Sequence, residues 1–236
     1  MLCKIADILV QIPAVGDLEA RCQQYLCDQN AVPDMVLDGS MPPEDKWPDL
    51  SEDLRIYLAT GFRFSRDLLK FGGFYLHSSA VLADGRAYLF SGPCGMGKST
   101  HARLWLDRLP DARIINDDKP ALRCVDGIWY AYGTPWCGKD GINRNERAPL
   151  GGICFLKRGT LNRIRRLSSL EAVKNIFSQT TYQFKSQENM LLLMDVVDRL
   201  VQNIPVFELE CLPNLEAAAL SYDTMSTAAK EADYED

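Results

Sequence analysis

Two apolar runs on either side of the Asp84-Gly85 pair form the clearest strand pattern in the chain. The first run covers residues 74–83, and the second covers residues 87–90. An Asp-Gly pair between two such runs is a strong signal for a tight turn between antiparallel strands. We therefore expect a β-hairpin here.

Helical spacing of apolar residues marks three further segments. Residues 190–204 give the clearest helix, and residues 17–28 give a shorter amphipathic one. A third helix is expected to begin after Ser51, a favourable N-cap residue, and to end at Gly72-Gly73.

The remaining patterns are shorter. Residues 100–109 predict a helix that Pro110 stops, and residues 112–116 predict a buried strand. Residues 5–12 and 207–211 also predict strands, the second with one polar face.

Together these elements predict an α/β fold built on a mixed sheet. The strand before residue 92 is expected to pair antiparallel with its predecessor, unlike the first strand of a doubly wound parallel sheet. We expect a small N-terminal α+β cap at residues 1–72, within the same compact unit. The core is expected at residues 73–225, and residues 226–236 are expected to be a disordered acidic tail.

A complete G-x-x-x-x-G-K-[ST] motif follows the hairpin. In this motif, or P-loop, backbone N–H groups surround phosphates, Lys98 reaches the outer phosphates and the Ser99 hydroxyl binds Mg²⁺. The context of a strand before and a helix after favours this interpretation over a chance glycine-rich turn. The expected nucleotide-binding residues are Gly92, Cys94, Gly95, Met96, Gly97, Lys98, Ser99 and Thr100.

Two adjacent carboxylates, Asp117 and Asp118, end the predicted strand at residues 112–116. Phosphoryl transfer to a hydroxyl needs a base beside the incoming oxygen and a carboxylate on the metal side. Successive strand residues point to opposite faces, so both can serve one site only where the chain turns, which Lys119-Pro120 favours. The alternative is a structural Asp-Asp turn.

A glycine-containing loop at residues 133–147 carries three cations, Lys139, Arg144 and Arg147. Loops on a rigid sheet often carry function, and guanidinium groups bind carboxylates and phosphates bidentately. We expect these residues to contact the phosphoryl acceptor. The alternative is a polar loop whose charges pair with one another.

The order of a hairpin containing His77, the P-loop, a short helix and Asp117-Asp118 resembles the C-terminal catalytic domain of HPr kinase/phosphorylase. This enzyme phosphorylates a serine of a phosphocarrier protein, and a more distant resemblance is to the nucleotide site of phosphoenolpyruvate carboxykinase. The resemblance is specific over residues 77–118 and extends to residue 155. Thr100-His101 departs from the family, which usually has an acidic residue after its Lys-Ser, and the family's second signature, which contacts the phosphocarrier, is not found.

The resemblance implies a fold like that of the HPr kinase C-terminal domain, with Lys98, Asp117 and His77 as catalytic residues. Asp117 would be the base, whereas Asp118 and Ser99 would serve the metal. His77 would bind a phosphate or tune an aspartate; a packed histidine within a strand is the alternative.

The predicted function is therefore an ATP- and Mg²⁺-dependent kinase for a serine-type hydroxyl of a protein or peptide. A small-metabolite kinase, for example of free serine, is the alternative, and a non-catalytic nucleotide-dependent binding module is another. A lyase of the carboxykinase type is disfavoured because the chain is short and shows no second set of metal ligands.

The overall composition and net charge limit the classes of binding partner to expect. The 236 residues are 47% hydrophobic and 25% charged, which is typical of a domain with a full apolar core. The net charge of −6 disfavours nucleic acid as a partner. The chain has no apolar run of about 20 residues and no secretory signal pattern at Met1, so we expect a cytoplasmic protein without membrane contact. The sequence leaves open whether the chain forms a homo-oligomer.

Overall fold

The computed structural model describes residues 1–40, 48–180 and 186–232. Within these ranges the chain forms a mixed α/β fold with a nine-stranded sheet and a separate three-stranded sheet. Part of the predicted acidic tail, residues 233–236, lies outside the described residues.

The N-terminal region builds the small sheet and two helices. The elements are β1 (Leu2–Ile5), β2 (Ile8–Gln11), α1 (Gly16–Cys22), β3 (Met35–Val36) and α2 (Glu52–Leu68). Two strands replace the single strand expected over residues 5–12, because Ala6 and Asp7 take positive φ angles of 51° and 60° and reverse the chain. Ser51 caps α2 as predicted, accepting a hydrogen bond from Leu54 N.

The large sheet contains strands of both directions. Its strands are β4 (Gly73–Tyr75), β5 (Ser78–Ala83), β6 (Arg86–Ser91), β7 (Arg113–Asp118), β8 (Ala121–Val125), β9 (Ile128–Tyr132), β10 (Arg147–Arg158), β11 (Arg163–Arg166) and β12 (Val206–Cys211). Their order is β4-β8-β9-β10-β6-β5-β7, and β12 joins β10 while β11 pairs with β12. The mixed character arises at β10, which pairs antiparallel with β9 and parallel with β6 and β12.

The expected hairpin is confirmed. β5 and β6 pair antiparallel, and the turn residues Asp84 and Gly85 have φ angles of 50° and 76°. β5 also pairs antiparallel with β7. The carboxyl ends of β6 and β7 therefore meet beside the start of β5, which is where the polar motifs of the sequence converge.

In the described part of the chain, four further helices cover the sheet, namely α3 (Lys98–Arg108), α4 (Ser169–Gln179), α5 (Gln187–Asn203) and α6 (Leu215–Ala232). One apolar core packs the sheet against α4 and α5, and another packs it against α3 and α6. The prediction of a disordered tail from residue 226 is wrong for residues 226–232, because α6 continues to Ala232. Residues 233–236 lie outside the described residues.

A third apolar core joins the N-terminal elements to the rest of the chain. It contains residues of β1, β2, α1 and α2 together with Tyr75, Tyr132 and Trp136. The cap boundary at residue 72 stays a prediction. Among the described residues, no helix combines the length and the apolar character that crossing a bilayer requires.

His101 anchors α3 to α6 inside the protein. Its Nε2 lies 2.9 Å from Ser221 Oγ, which also accepts from Trp105 Nε1 and donates to Ala218 O. Because the Ser221 proton is directed to Ala218, His101 Nε2 is the donor of this hydrogen bond. Burial lowers the pKa of His101 from 6.5 to about 4.

This burial predicts a loss of stability in mild acid. The unfolded chain takes up a proton at His101 below its ordinary pKa while the folded chain does not, so stability falls as the pH drops from 6.5 towards 4. The contribution is at most about 1.4 kcal/mol per pH unit. Urea unfolding at pH 7 and pH 5 should show a smaller difference for His101→Gln, which keeps a donor for Ser221 but does not titrate. An unchanged difference would contradict the burial argument.

Candidate functional site

The glycine-rich loop, residues 92–97, connects β6 to α3. Gly95 and Gly97 have φ angles of 73° and 104°, in the left-handed region that favours glycine. Gly97 is the N-cap of α3, and no side chain among the described residues caps this helix. The first N–H groups of α3 and the positive end of its dipole are therefore available to an anion.

Lys98 folds back over this loop. Its Nζ donates to Gly92 O at 3.0 Å and to Pro93 O at 3.3 Å, and the residue is only 8% exposed. Burial lowers the pKa of Lys98, although the charges of Asp118, Cys94 and Asp117 oppose this shift. The ammonium is thus partly desolvated, with neutral carbonyls as its direct partners.

Asp117 lies beside the first turn of α3. Its Oδ1 accepts hydrogen bonds from Ser99 Oγ at 3.1 Å and from Ser79 Oγ. Ser79 is directly opposite Asp117 in the β5–β7 register and is fully buried. The pairing of β5 with β7 therefore brings a carboxylate and two hydroxyls into one cluster.

Asp118 has different partners. Its Oδ1 lies 3.2 Å from His77 Nε2, and its Oδ2 accepts from Lys119 Nζ at 2.6 Å. Burial alone would raise the pKa of Asp118, but the His77 hydrogen bond and the Lys119 charge lower it to about 2. Asp118 is therefore ionised at neutral pH.

The two carboxylates both lie near Lys98 despite being neighbours in a strand. β7 continues through Asp118, but this residue has a φ angle of 119°, outside the regular strand region. Both charges act on the Lys98 ammonium. The expected turn is thus made at Asp118 itself rather than after the strand.

The loop at residues 133–146 covers the open edge of β7. Gly138 N donates to Asp117 O at 2.6 Å, and Asp117 N donates to Ile142 O at 3.1 Å. A Cβ on Gly138 would lie 3.2 Å from Asp117 O, tighter than most such contacts. Buried Asn116 fixes the same loop by donating to Thr134 O and Trp136 O.

The three predicted cations of this loop have different surroundings. Exposed Lys139 directly follows Gly138, next to the carboxylates. Exposed Arg144 is held through its backbone, which donates to Ile115 O at 2.9 Å. Arg147 pairs with Asp7 and lies 4.6 Å from the centroid of the Tyr130 ring.

The Arg147 guanidinium therefore lies against the N-terminal hairpin and the tyrosines of β9. The preceding residue, Glu146, pairs with Arg113. Arg113 precedes Asp117 by four strand positions, which is roughly 13 Å at the rise of a β-strand. Arg147 thus pairs with a residue of the N-terminal hairpin, which is distant in sequence, rather than with a residue of its own loop.

Sequence reasoning missed several residues of the site. Ser79 and Lys119 contact the carboxylates, and Arg158 Nη2 donates to Gly95 O at 2.8 Å. The serine pair after His77 at a strand start was the available signal for Ser79. No sequence signal indicated Arg158, because its contact joins the end of β10 to a loop 63 positions earlier.

A groove of about 370 Å³ opens beside the glycine-rich loop. Met96 and Thr100 line it, together with His101, Leu104, Leu156 and Leu212. Arg158 stands at the same groove, whereas Cys94 is exposed. The groove is largely apolar next to a loop rich in N–H donors.

The comparisons with known proteins identify only a distant likeness. No protein-family model and no curated protein sequence matches the chain. Among solved structures, the chain is similar to the HPr(Ser) kinase/phosphatase from Coxiella burnetii, with a TM-score of 0.41 and 12% identity. The match covers 68% of this chain and 94% of that chain. Similarity at this level does not bear on activity.

Proposed function

We propose that this chain is an ATP- and Mg²⁺-dependent phosphotransferase that phosphorylates a serine-type hydroxyl, with a protein or peptide serine as acceptor. The observation that carries the proposal is the hydrogen bond from Ser99 to Asp117 beside the buried Lys98. This arrangement joins the motif of residues 92–100 to the Asp-Asp pair. The order of the same motifs, which resembles HPr kinase, supports it from the sequence.

The side chains fit both expected ligands. A partly desolvated ammonium with carbonyl partners is suited to an anionic phosphate, which would be a stronger partner than either carbonyl. The oxygens of Ser99 and Asp117 are the hard donors that Mg²⁺ prefers. When bound, ATP would supply the phosphoryl group, and the magnesium ion would offset part of the negative charge of the phosphates.

The residues around the loop have separate tasks in this proposal. The N–H groups at the start of α3 and the Lys98 ammonium bind the phosphate oxygens. Ser99 and Asp117 hold the metal side, and Ser79 fixes the Asp117 carboxylate by donating to it. The apolar groove at Leu104, Leu156 and Leu212 would exclude water around the nucleobase.

Asp118 is the base in this proposal, which reverses the roles implied by the sequence resemblance. Asp117 is already bonded to the serine of the motif, whereas Asp118 is partnered by His77 and Lys119 on the other side. Because the pKa of Asp118 is about 2, its carboxylate stays ionised and can accept a hydrogen bond from the acceptor hydroxyl. It would take the proton late, as a loose phosphoryl-transfer transition state allows.

Label transfer tests this function directly. ATP labelled on its terminal phosphate should pass label to an acceptor pool of serine peptides, and only when Mg²⁺ is present. The same pool with chelator is the control. Tight binding of magnesium-ATP in calorimetry without label transfer to peptides, free serine or cell lysate would instead support a non-catalytic binding module.

A further inference from the structure

The backbone of Asp118 has a conformation that is costly for any residue with a side chain. Its φ angle is 119°, whereas a residue of a regular antiparallel strand has a φ angle of about −140°. The other non-glycine residues of the described chain with positive φ angles, Ala6, Asp7, Asp84 and Asp126, lie in turns, but Asp118 lies in β7. Such a conformation persists only where the surrounding structure enforces it.

Both peptide groups that flank Asp118 are held by hydrogen bonds. Because a peptide group is planar, the orientations of these two groups determine the φ and ψ angles of the residue between them. On one side, Asp117 O accepts from Gly138 N at 2.6 Å. On the other side, Lys119 N donates to Asn116 Oδ1 at 2.8 Å. The backbone of Asp118 is thus fixed at both ends.

The Asn116 side chain joins these two ends. It is fully buried, and its Nδ2 donates to Thr134 O at 3.0 Å and to Trp136 O at 3.3 Å, in the segment just before Gly138. These partners fix the orientation of the amide, because its oxygen faces an N–H group and its nitrogen faces carbonyl oxygens. One side chain therefore connects the Lys119 peptide group to the loop that carries Gly138.

The Thr134 side chain holds the next peptide group. Its Oγ1 donates to Lys119 O at 2.9 Å, the shorter of its two carbonyl contacts. The other contact, to Trp136 O at 3.0 Å, is also served by Asn116 Nδ2. Thr134 is fully buried as well. The N–H and the C=O of Lys119 are thus held by two buried side chains from different segments of the chain.

The strained conformation decides where the Asp118 carboxylate lies. In a regular strand, neighbouring side chains point to opposite faces, so Asp118 would point away from the side on which Asp117 meets Ser99. The rotation at Asp118 instead leaves its Oδ1 at 3.2 Å from His77 Nε2 and its carboxylate near Lys98. A relaxed Asp118 would lose this position.

Resting on the proposed function, we propose that Asn116 is a positioning residue that keeps the proposed base, Asp118, in its strained conformation. Because Asn116 is 0% exposed, it acts through the backbone of Lys119 and not by contact with a substrate. Thr134 supports it at the next peptide group. Loss of either side chain lets Asp118 relax and turns its carboxylate away from the acceptor hydroxyl.

A first test measures the strain without any assay of activity. Asp118→Gly and Asp118→Ala both remove the carboxylate, and at an ordinary strand position glycine is the less stable of the two. At residue 118 we expect the reverse order in urea unfolding, with an unfolding equilibrium constant about three- to tenfold lower for Asp118→Gly, because only glycine adopts this φ angle without strain. In an Asn116→Ala background the ordinary order should return.

A second test measures phosphoryl transfer with labelled ATP, Mg²⁺ and serine peptides. Asn116→Ala should lower kcat about tenfold or more and leave the affinity for magnesium-ATP within about twofold, as expected for a misplaced base. In an Asp118→Asn background the same substitution should change kcat by less than about twofold, because a positioning residue has no effect once the base is removed. A merely structural Asn116 would lower kcat equally in both backgrounds.

Thr134→Val keeps both tests usable if Asn116→Ala does not fold. It retains the size of a buried side chain and removes only the hydroxyl that contacts Lys119 O, so it should act in the same direction by a smaller factor. Thr60→Val is the matched control, because Thr60 is equally buried but donates to Ile56 O within its own helix. The control should keep the parental kcat and the reversed order of the glycine and alanine variants.

The outcomes separate this proposal from the proposed function. The ordinary order of the two variants at residue 118, a reversed order that persists in Asn116→Ala, or an equal loss of kcat in both backgrounds would overturn the positioning role and leave phosphotransfer intact. If the parent binds magnesium-ATP but transfers no label, the proposed phosphotransfer fails, and the catalytic role of Asn116 falls with it whichever order the stabilities show.

Discussion

Asp118→Asn is expected to lower kcat by about 10² or more and to leave magnesium-ATP affinity within about twofold, the pattern of a lost positioned base. The amide keeps the size of the side chain but cannot take up the acceptor proton. Because Asp118 bonds His77 and Lys119 rather than Ser99, the nucleotide side should be little affected. Single-turnover label transfer and calorimetry measure the two effects separately.

Asp117→Asn should show the complementary pattern. Ser99 and Ser79 both donate to Asp117 Oδ1, and the carboxylate charge is what a metal ion would require beside them. This variant should therefore need a higher Mg²⁺ concentration for half-maximal rate. If excess Mg²⁺ restores Asp117→Asn but not Asp118→Asn, the proposed roles hold.

A matched control separates these effects from a general change of charge. Asp195→Asn removes an exposed carboxylate that pairs with Arg199 on α5, and it should retain parental kinetics. If Asp118→Asn needs more Mg²⁺ while Asp117→Asn loses kcat, the roles implied by the sequence resemblance are the correct ones. Two active variants would make the Asp-Asp pair structural.

The features that the sequence predicted well are local ones. The Asp84-Gly85 hairpin, the Ser51 cap and the helix at residues 187–203 depend on contacts between residues close in sequence. Their signals are turn chemistry, capping and periodicity, which act without knowledge of the tertiary fold. The position of the glycine-rich loop between β6 and α3 follows from the same local patterns.

The features that it missed depend on pairing between distant segments. Nothing in the strand at residues 112–116 indicates that β7 pairs with β5, and this pairing is what places Ser79 on Asp117. The contact of Arg147 with Asp7 spans 140 positions. The different partners of the two aspartates follow from the same cause, because Ser99, His77 and Lys119 are brought to them only by the folded sheet.

The helix α6 was missed for a different reason. Its sequence is rich in alanine, serine and threonine, so its apolar face is less distinct than that of α5, and the acidic residues near the end of the chain suggested disorder. Buried Met225, Ala218 and Ala229 show that small side chains suffice where the helix packs closely on the sheet and α3. Packing, rather than periodicity, defines this element.

Lys98→Ala is expected to weaken magnesium-ATP binding about 10- to 100-fold, the range for a lost hydrogen bond to a charged group. The ammonium contacts the carbonyls of Gly92 and Pro93, so under the proposed function the substitution removes a cation that the ligand, not the core, requires. Calorimetric titration measures the affinity.

The stability of the variant decides how that result is interpreted. Burial disfavours the charged form of Lys98, which partly offsets the hydrogen bonds that it makes to the loop. The melting temperature without nucleotide should therefore change little, while the stabilisation by added magnesium-ATP should be lost because it follows from binding. Lys174→Ala, at an exposed position of α4, should keep both. Full ATP affinity in Lys98→Ala would contradict the phosphate-binding role of the loop, whereas an unfolded variant would make Lys98 a structural residue.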